Sequence, residues 1–269
     1  WVVVHDPALG GELNVDAVAK AMAKILNIEQ RELRLENKAA EVLGSLPTRM
    51  ISLCAGCPHR ATWFALKKVS RKLKSEVVVN GDIGCYDIAW RPPYEAIDTL
   101  YCMGASLAVA SGERQAGLKK SIIAAIGDST FYHSCMAPLV NAVHNRAKLT
   151  VLVFDNGLTA MTGHQPNPGT GYVATKKETK ILRIEDIARA CQVDFIKVVD
   201  PFDLKATVDA IEQATKHDGV SMVIARAGCA LREDAAMRKK GLSRPHSAVL
   251  PEKCTGCAIC MNQFGCPAI

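Results

Sequence analysis

Between Glu76 and Ala225 the chain alternates short, nearly unbroken apolar runs with longer stretches in which apolar residues recur every three or four positions. The runs Glu76 to Asn80, Ser121 to Ile126, Leu149 to Phe154, Phe195 to Val199 and Ser221 to Ala225 are strand-sized. Their lack of apolar–polar alternation marks strands covered on both faces. The stretches Gly104 to Arg114, Met136 to Asn145, Ile184 to Cys191 and Leu204 to Lys216 read as the covering helices. The predicted fold class is therefore α/β, a parallel sheet with helices on both faces. Ligands of such sheets sit beyond the strand C-termini, so the loops after the strands are where chemistry is expected.

Outside this region the pattern changes. From Asp16 to Leu43, Val18, Met22, Ile25 and Leu26 recur at helical spacing, with Asp16 in an N-cap position, predicting one or two helices outside the main domain until Leu46-Pro47-Thr48 breaks the periodicity. Charged residues punctuated by Gly241, Pro245 and Pro251 predict a linker. The expected organisation is a helical region at 1–45 connecting to an upstream domain, a main domain at 46–231, a linker at 232–252 and a cysteine-rich tail at 253–269.

The 269 residues, 49% of them hydrophobic, suffice for one large α/β domain and a small appendage. No apolar run approaches the roughly 20 residues that cross a bilayer, so no membrane partner is expected. Trp1 in place of Met predicts a natural start upstream or a processed end, and no signal-peptide pattern follows it. Eleven cysteines in clusters, without such a signal, point to thiolate ligands in a reducing cytoplasm rather than to disulfides. The formal charge of +6 comes without any basic tract interleaved with aromatics, which argues against nucleic acid as a partner.

Three constellations carry the chemistry. The last sixteen residues hold Cys254, Cys257, Cys260 and Cys266, the last followed by Pro267. Three thiolates two residues apart and a fourth before proline match half of a two-cluster ferredoxin, with a final gap of five residues instead of three. A zinc knuckle is the alternative, although the run contains no histidine. The second constellation pairs Gly127-Asp128-Ser129 with Asp155-Asn156-Gly157, twenty-five residues separating Ser129 from Asp155. Asp128, Asn156 and the Leu158 carbonyl supply the hard oxygen ligands that Mg2+ on a diphosphate requires. Gly127 would admit the diphosphate to the backbone, and a helix starting near Ser134 would aim its N-terminal amides at it. The pair resembles the thiamine-diphosphate motif, with Ser129 for its second glycine and Asp155 for its first asparagine. The third constellation is Cys54-Ala-Gly-Cys57-Pro-His59-Arg60, Gly84-Cys85 and Gly228-Cys229, loop thiolates that can close a cubane, or else a zinc ribbon or redox pair at Cys54 and Cys57. Cys102, Cys135 and Cys191, in apolar surroundings, read as buried small hydrophobes.

Together with Met103-Gly-Ala-Ser106 and Met161-Thr-Gly-His164-Gln165, these motifs resemble the thiamine-binding region of the 2-oxoacid:ferredoxin oxidoreductases, nearest their indolepyruvate type, from about Leu46 onward. The resemblance implies a thiamine-diphosphate-binding fold with a small, incomplete ferredoxin-like tail. It implies that Cys54, Cys57, Cys85 and Cys229 hold a 4Fe-4S cluster beside the thiamine, that Ile83, Gly84, Cys85 and Met103 line the cofactor, and that the tail relays electrons outward to ferredoxin. The implied reaction is oxidative decarboxylation of a 2-oxoacid, an arylpyruvate such as indolepyruvate by preference, with the acyl group passing to coenzyme A. An activating glutamate would come from a separate pyrimidine-binding domain and a beta-type partner subunit would complete the enzyme, so the chain alone should be inactive. His59 is placed either to touch the cofactor or to serve the start of a helix, and His164 to touch substrate. Cys266 should serve a companion cluster whose other ligands lie beyond Ile269, leaving the tail under-ligated and mobile. Two other classes stay open, a non-redox thiamine decarboxylase or synthase and an electron-transfer scaffold without thiamine. Pyruvate and 2-oxoglutarate stay open as substrates.

Overall fold

The computed structural model describes residues 15–29, 51–74, 76–243 and 247–267. The chain divides into two compact units, Trp1–Met50 and Ile51–Ile269. In the first, α1 (Val15–Leu26) forms where the helical periodicity lies, with Asp16 inside its first turn rather than ahead of it. Ala23 is buried, whereas Val18, Met22, Ile25 and Leu26 are exposed. The second helix expected before Leu43 and the break at Leu46-Pro47-Thr48 fall outside the described residues.

The second unit is a six-stranded, wholly parallel sheet in the order β2-β1-β3-β4-β6-β5. Its strands are β1 (Val77–Gly81), β2 (Thr99–Leu100), β3 (Ser121–Gly127), β4 (Leu149–Asp155), β5 (Phe195–Val199) and β6 (Val220–Arg226). The helices of the central region are α2 (Pro58–Lys72), α3 (Ala105–Gln115), α4 (Met136–His144), α5 (Ile184–Ala190) and α6 (Leu204–Lys216). Because side chains alternate across a strand, Ile122, Ala124 and Ile126 of β3 with Val151 and Val153 of β4 meet α3, α4 and α5. Ile123, Ala125, Leu152 and Phe154 point the other way, to Trp63 and Leu66 of α2 and Val208 and Ile211 of α6. At roughly 1.5–3 kcal/mol for each large apolar side chain removed from water, these two layers supply the main driving force for folding.

Every strand ends on one edge, so the turns after Gly81, Gly127, Asp155 and Arg226 lie side by side. Helical geometry begins at Asp128, directly after β3, and not near Ser134 as expected. The single turn Asp128–Thr130 runs through a π turn at Phe131–Cys135 into α4, so helical bonding resumes earlier than apolar periodicity alone reveals. The predicted linker is also partly ordered, its first half being α7 (Ala230–Lys239). Beyond it, the tail forms a short helix, α8 (Ile259–Asn262), and belongs to the same compact unit as the sheet. The tail, expected to be mobile, meets the sheet's unit at Phe264: Tyr94 Oη donates to its carbonyl at 2.6 Å and the Phe64 and Phe264 rings meet edge to face at 5.6 Å. Among the described residues no helix is long and apolar enough to cross a membrane.

Asp82 joins the β1 turn to the start of α3. Fully buried, its carboxylate accepts bonds from the Gly104 amide at 2.9 and 2.8 Å, the Ser106 hydroxyl at 3.0 Å and the Ile83 amide at 2.8 Å. Gly104 occupies the left-handed region at φ +89°, and a Cβ there would lie 2.3 Å from Cβ of Ser134. Gly104→Ala combines backbone strain with overpacking and should lower stability by about 2–4 kcal/mol in denaturant titration.

Candidate functional site

One cleft on the C-terminal edge of the sheet gathers Ile83, Gly84, Cys85, Met103, Gly127, Asp128, Ser129, Asn156 and Leu158. These are the residues expected to meet thiamine diphosphate and its metal, drawn from four separate loops. His164 is not among the lining residues: it sits half-buried at φ +63° in the turn whose neighbours Thr159 to Thr162 do face the cleft.

The cleft is shaped by the buried ring of Tyr86. A Cβ on Gly84 would come within 2.5 Å of this ring and one on Gly127 within 2.6 Å, so both bare α-carbons exist to seat it. Gly127, expected to open the backbone to a diphosphate, thus has a packing role as well. Tyr86 stacks on Phe154 at 5.2 Å, and its carbonyl accepts a bond from Trp63 Nε1 at 3.0 Å. Tyr86, Phe154, Ile83 and Met103 give the cleft apolar lining, and Asp128 and Asn156 give it polar lining.

Asp128 is buried, and this, reinforced by the nearby Asp155 carboxylate, pushes its pKa up to about 7. The Asn167 amide and the Ser129 backbone N–H, at 3.0 and 2.8 Å, offset only part of the cost. A buried carboxylate with no cationic partner among the described residues suits a bound divalent cation, which would take the proton's place. Asn156 turns Oδ1 toward the Leu158 amide at 3.1 Å, and its Nδ2 meets Nε2 of His59 at 3.2 Å. Burial lowers His59 to about 4, so its imidazole is neutral at ordinary pH. The side chain of His59 therefore links the first cysteine loop to the asparagine of the loop after β4.

Asp155, in the place of the motif's first asparagine, is engaged elsewhere. Arg226 Nε donates to its Oδ2 at 2.6 Å, while the other guanidinium nitrogens bind Glu185 at 3.1 and 2.6 Å. The bonds to Arg226 hold the Glu185 carboxyl below its usual range, and those to Glu185 and Asp155 hold the guanidinium above its own. Neither Asn167 nor the Arg226–Glu185 pairing was legible from spacing. Asn167 reaches back across 39 positions, and only its place in an Asn-Pro-Gly turn set it apart.

Cys57 caps α2, Cys85 opens a 3-10 turn (Cys85–Trp90) and Cys229 caps α7. Burial pushes the Cys57 thiol up to about 12, with further upward contributions from Cys54 and Cys85. Cys85 is pushed up to about 11 by burial and then by Cys54 and Cys229. Cys54, Cys57 and Cys85 are thus within electrostatic reach of one another, and Cys229 is within reach of Cys85. Among the described residues no group of three or more His, Cys, Asp or Glu side chains is arranged so that it could hold a metal ion. In the tail, Cys254 and Cys257 are exposed and Cys260 and Cys266 half-buried. The Ile259 amide, then the Thr255 hydroxyl, hold Cys257 below the usual thiol range. Of the cysteines read as buried hydrophobes, Cys135 is buried and Cys191 half-buried, but Cys102 is exposed, because its segment is a loop ahead of α3 rather than part of the helix.

A parallel sheet whose strand ends present this cleft defines a thiamine-diphosphate-binding domain, and the chain belongs to that family: the profile described as "Thiamine pyrophosphate enzyme, C-terminal TPP binding domain" matches residues 82–225, just over half of its length. Within it, the chain is 41% identical over 96% of its length to the indolepyruvate oxidoreductase subunit IorA of Pyrococcus horikoshii, of which it spans 42%. It is 29% identical to the 2-oxoglutarate synthase subunit KorB of Archaeoglobus fulgidus, over 71% of this chain and 74% of that protein. The 2-oxoglutarate:ferredoxin oxidoreductase of Magnetococcus marinus, solved with 2-oxoglutarate, coenzyme A and succinyl-CoA bound, shares the fold at a TM-score of 0.61 and 17% identity, over 69% of this chain and 65% of that one.

Two measurements check the electrostatics. Arg226→Met leaves two nearly buried carboxylates facing each other and should cost about 2–3 kcal/mol, below the fully buried case because the guanidinium is 34% exposed. For Asp128 the folded pKa of about 7 lies above the unfolded value near 4. The metal-free protein therefore loses stability as pH rises from about 4 to about 7 and stays at the lower level above that. Asp128→Asn should melt higher than the unmodified chain at pH 8 in the presence of a chelator, with the gap closing toward pH 4.

Proposed function

We propose that this chain is the magnesium and thiamine-diphosphate-binding portion of a 2-oxoacid:ferredoxin oxidoreductase that oxidatively decarboxylates an arylpyruvate such as indolepyruvate, passing the acyl group to coenzyme A and electrons through 4Fe-4S clusters to ferredoxin. The observation that carries this reading is the meeting of Asp128 and Asn156 with Ile83, Gly84 and Met103 in one cleft, bordered by Cys85 of the coupled thiol set. Thiamine diphosphate, when bound, supplies the carbanion chemistry that cleaves the bond between a carboxylate and a keto carbon.

The chain's own residues orient and conduct. Asp128 and Asn156, with the Leu158 carbonyl, would hold Mg2+, and the cation would provide the counter-charge that burial denies Asp128. Ile83, Tyr86, Phe154 and Met103 keep water from the apolar part of the cofactor. Met103 and Met161, each 47% exposed, give the lip a polarisable apolar surface suited to an aryl side chain rather than to a second carboxylate. Cys54, Cys57, Cys85 and Cys229 would hold the first cluster at the cleft's edge, and the tail a second. A beta-type subunit and a pyrimidine-binding domain bringing the activating glutamate would complete the enzyme. The thiol set favours this reading over a non-redox thiamine decarboxylase, for which Cys54, Cys57 and Cys85 within electrostatic reach of one another have no task.

Calorimetric titration of the chain with thiamine diphosphate and Mg2+ tests the site. Binding should require the cation, and Asp128→Asn should weaken it at least tenfold, or about 1.4 kcal/mol. Equal affinity in the two proteins would overturn the metal assignment.

A further inference from the structure

Arg60, on the first turn of α2, is 2% exposed, and its guanidinium touches two separate parts of the chain. Nε donates to the Cys54 carbonyl at 3.0 Å and Nη2 to that of Leu53, both on the loop of the inner thiols. Nη1 donates to the carbonyls of Phe264, at 3.3 Å, and Gly265, next to Cys266 of the tail. Around this crossing, Tyr94 bonds the same Phe264 carbonyl and Arg71 Nη1 donates to Gln263 Oε1 at 3.2 Å. Gly265 sits at φ +60°, with its bare α-carbon facing Pro93, where a Cβ would lie 2.7 Å from the ring.

The charge of Arg60 is unusual. Among the described residues no carboxylate lies within ion-pair distance of it. Carbonyl dipoles take four hydrogen bonds from it but leave the buried cation without a counter-ion among the described residues, a costly arrangement unless an anion shares the site. Thiols are the nearby candidates. Cys57 feels the Arg60 charge, and Tyr94 feels Arg60, Cys57 and Cys266 together, so the guanidinium stands between the inner and tail thiol sets.

We propose that Arg60 is a positioning residue for electron exit: one guanidinium clamps the Phe264–Gly265 turn of the tail against the inner cysteine loop and carries a counter-charge shared by the two thiolate sets. The counter-charge rests on the proposed function, because it requires the thiols to be metal ligands. The clamp does not, since it is present in the metal-free chain.

Amide hydrogen exchange on the metal-free full chain tests the clamp. In Arg60→Lys, which keeps the charge but cannot span all four carbonyls, the amides of Phe264, Gly265 and Cys266 should exchange roughly tenfold faster while those of β3 and β4 stay protected. Tyr94→Phe should act in the same direction and more weakly. Unchanged tail exchange in both variants overturns the clamp. Should Arg60→Lys also loosen β3 and β4, Tyr94→Phe decides, because its ring remains in place and a fully protected tail would then refute the proposal. The counter-charge is read on iron-reconstituted protein. Arg60→Gln should shift cluster reduction to more negative potential and Arg60→Lys less so; equal potentials in all three proteins would overturn this half. Failure of the unmodified chain to take up iron would refute the proposed function and the counter-charge together, and leave the exchange result standing.

Discussion

The seating of one aromatic ring governs the geometry of the functional edge. Tyr86 lies against the bare α-carbons of Gly84 and Gly127 and is stacked on Phe154, so it touches the ends of β1, β3 and β4 at once. Its carbonyl takes the indole N–H of Trp63, which ties α2 and its cysteine loop to the same point. Close-packed interiors transmit displacements of a few tenths of an ångström. A shift of this ring would therefore move the loops after β3 and β4 and the thiol loop together, and their mutual geometry is preserved because they share a support.

Around that support, charge is divided unequally. Arg226 compensates Asp155 and Glu185, while the partners of Asp128 among the described residues are amide and backbone N–H donors. Arg60 is the reverse case, a buried cation among carbonyls. Folded proteins seldom bury single charges unless something that binds later completes them. In the proposed enzyme, a cation would complete the first of these sites and anionic sulfur the second.

The sheet was legible because its strands are unbroken apolar runs: Phe195–Val199 and the helix Leu204–Lys216 coincide with the elements read from periodicity. Short elements were not, since the two residues of β2 carry no period and α7 is too charged to show an apolar stripe. At the site, glycine, acid and amide at fixed spacing reveal Asp128 and Asn156 because the backbone itself sets their separation. Asn167, Arg226 and Arg60 act across distances in sequence that no local pattern encodes; Arg60 reaches a carbonyl 205 residues away. The start of helical geometry at Asp128 was missed for a related reason, because a π turn displaces the apolar stripe before α4 begins.

Burial keeps Cys57 and Cys85 protonated until something displaces their protons. A neutral thiol is a poor nucleophile and resists oxidation far better than a thiolate. These two thiols are thus chemically quiet in the free chain, and the dry surroundings that keep them so would, in the proposed enzyme, insulate a charge in transit.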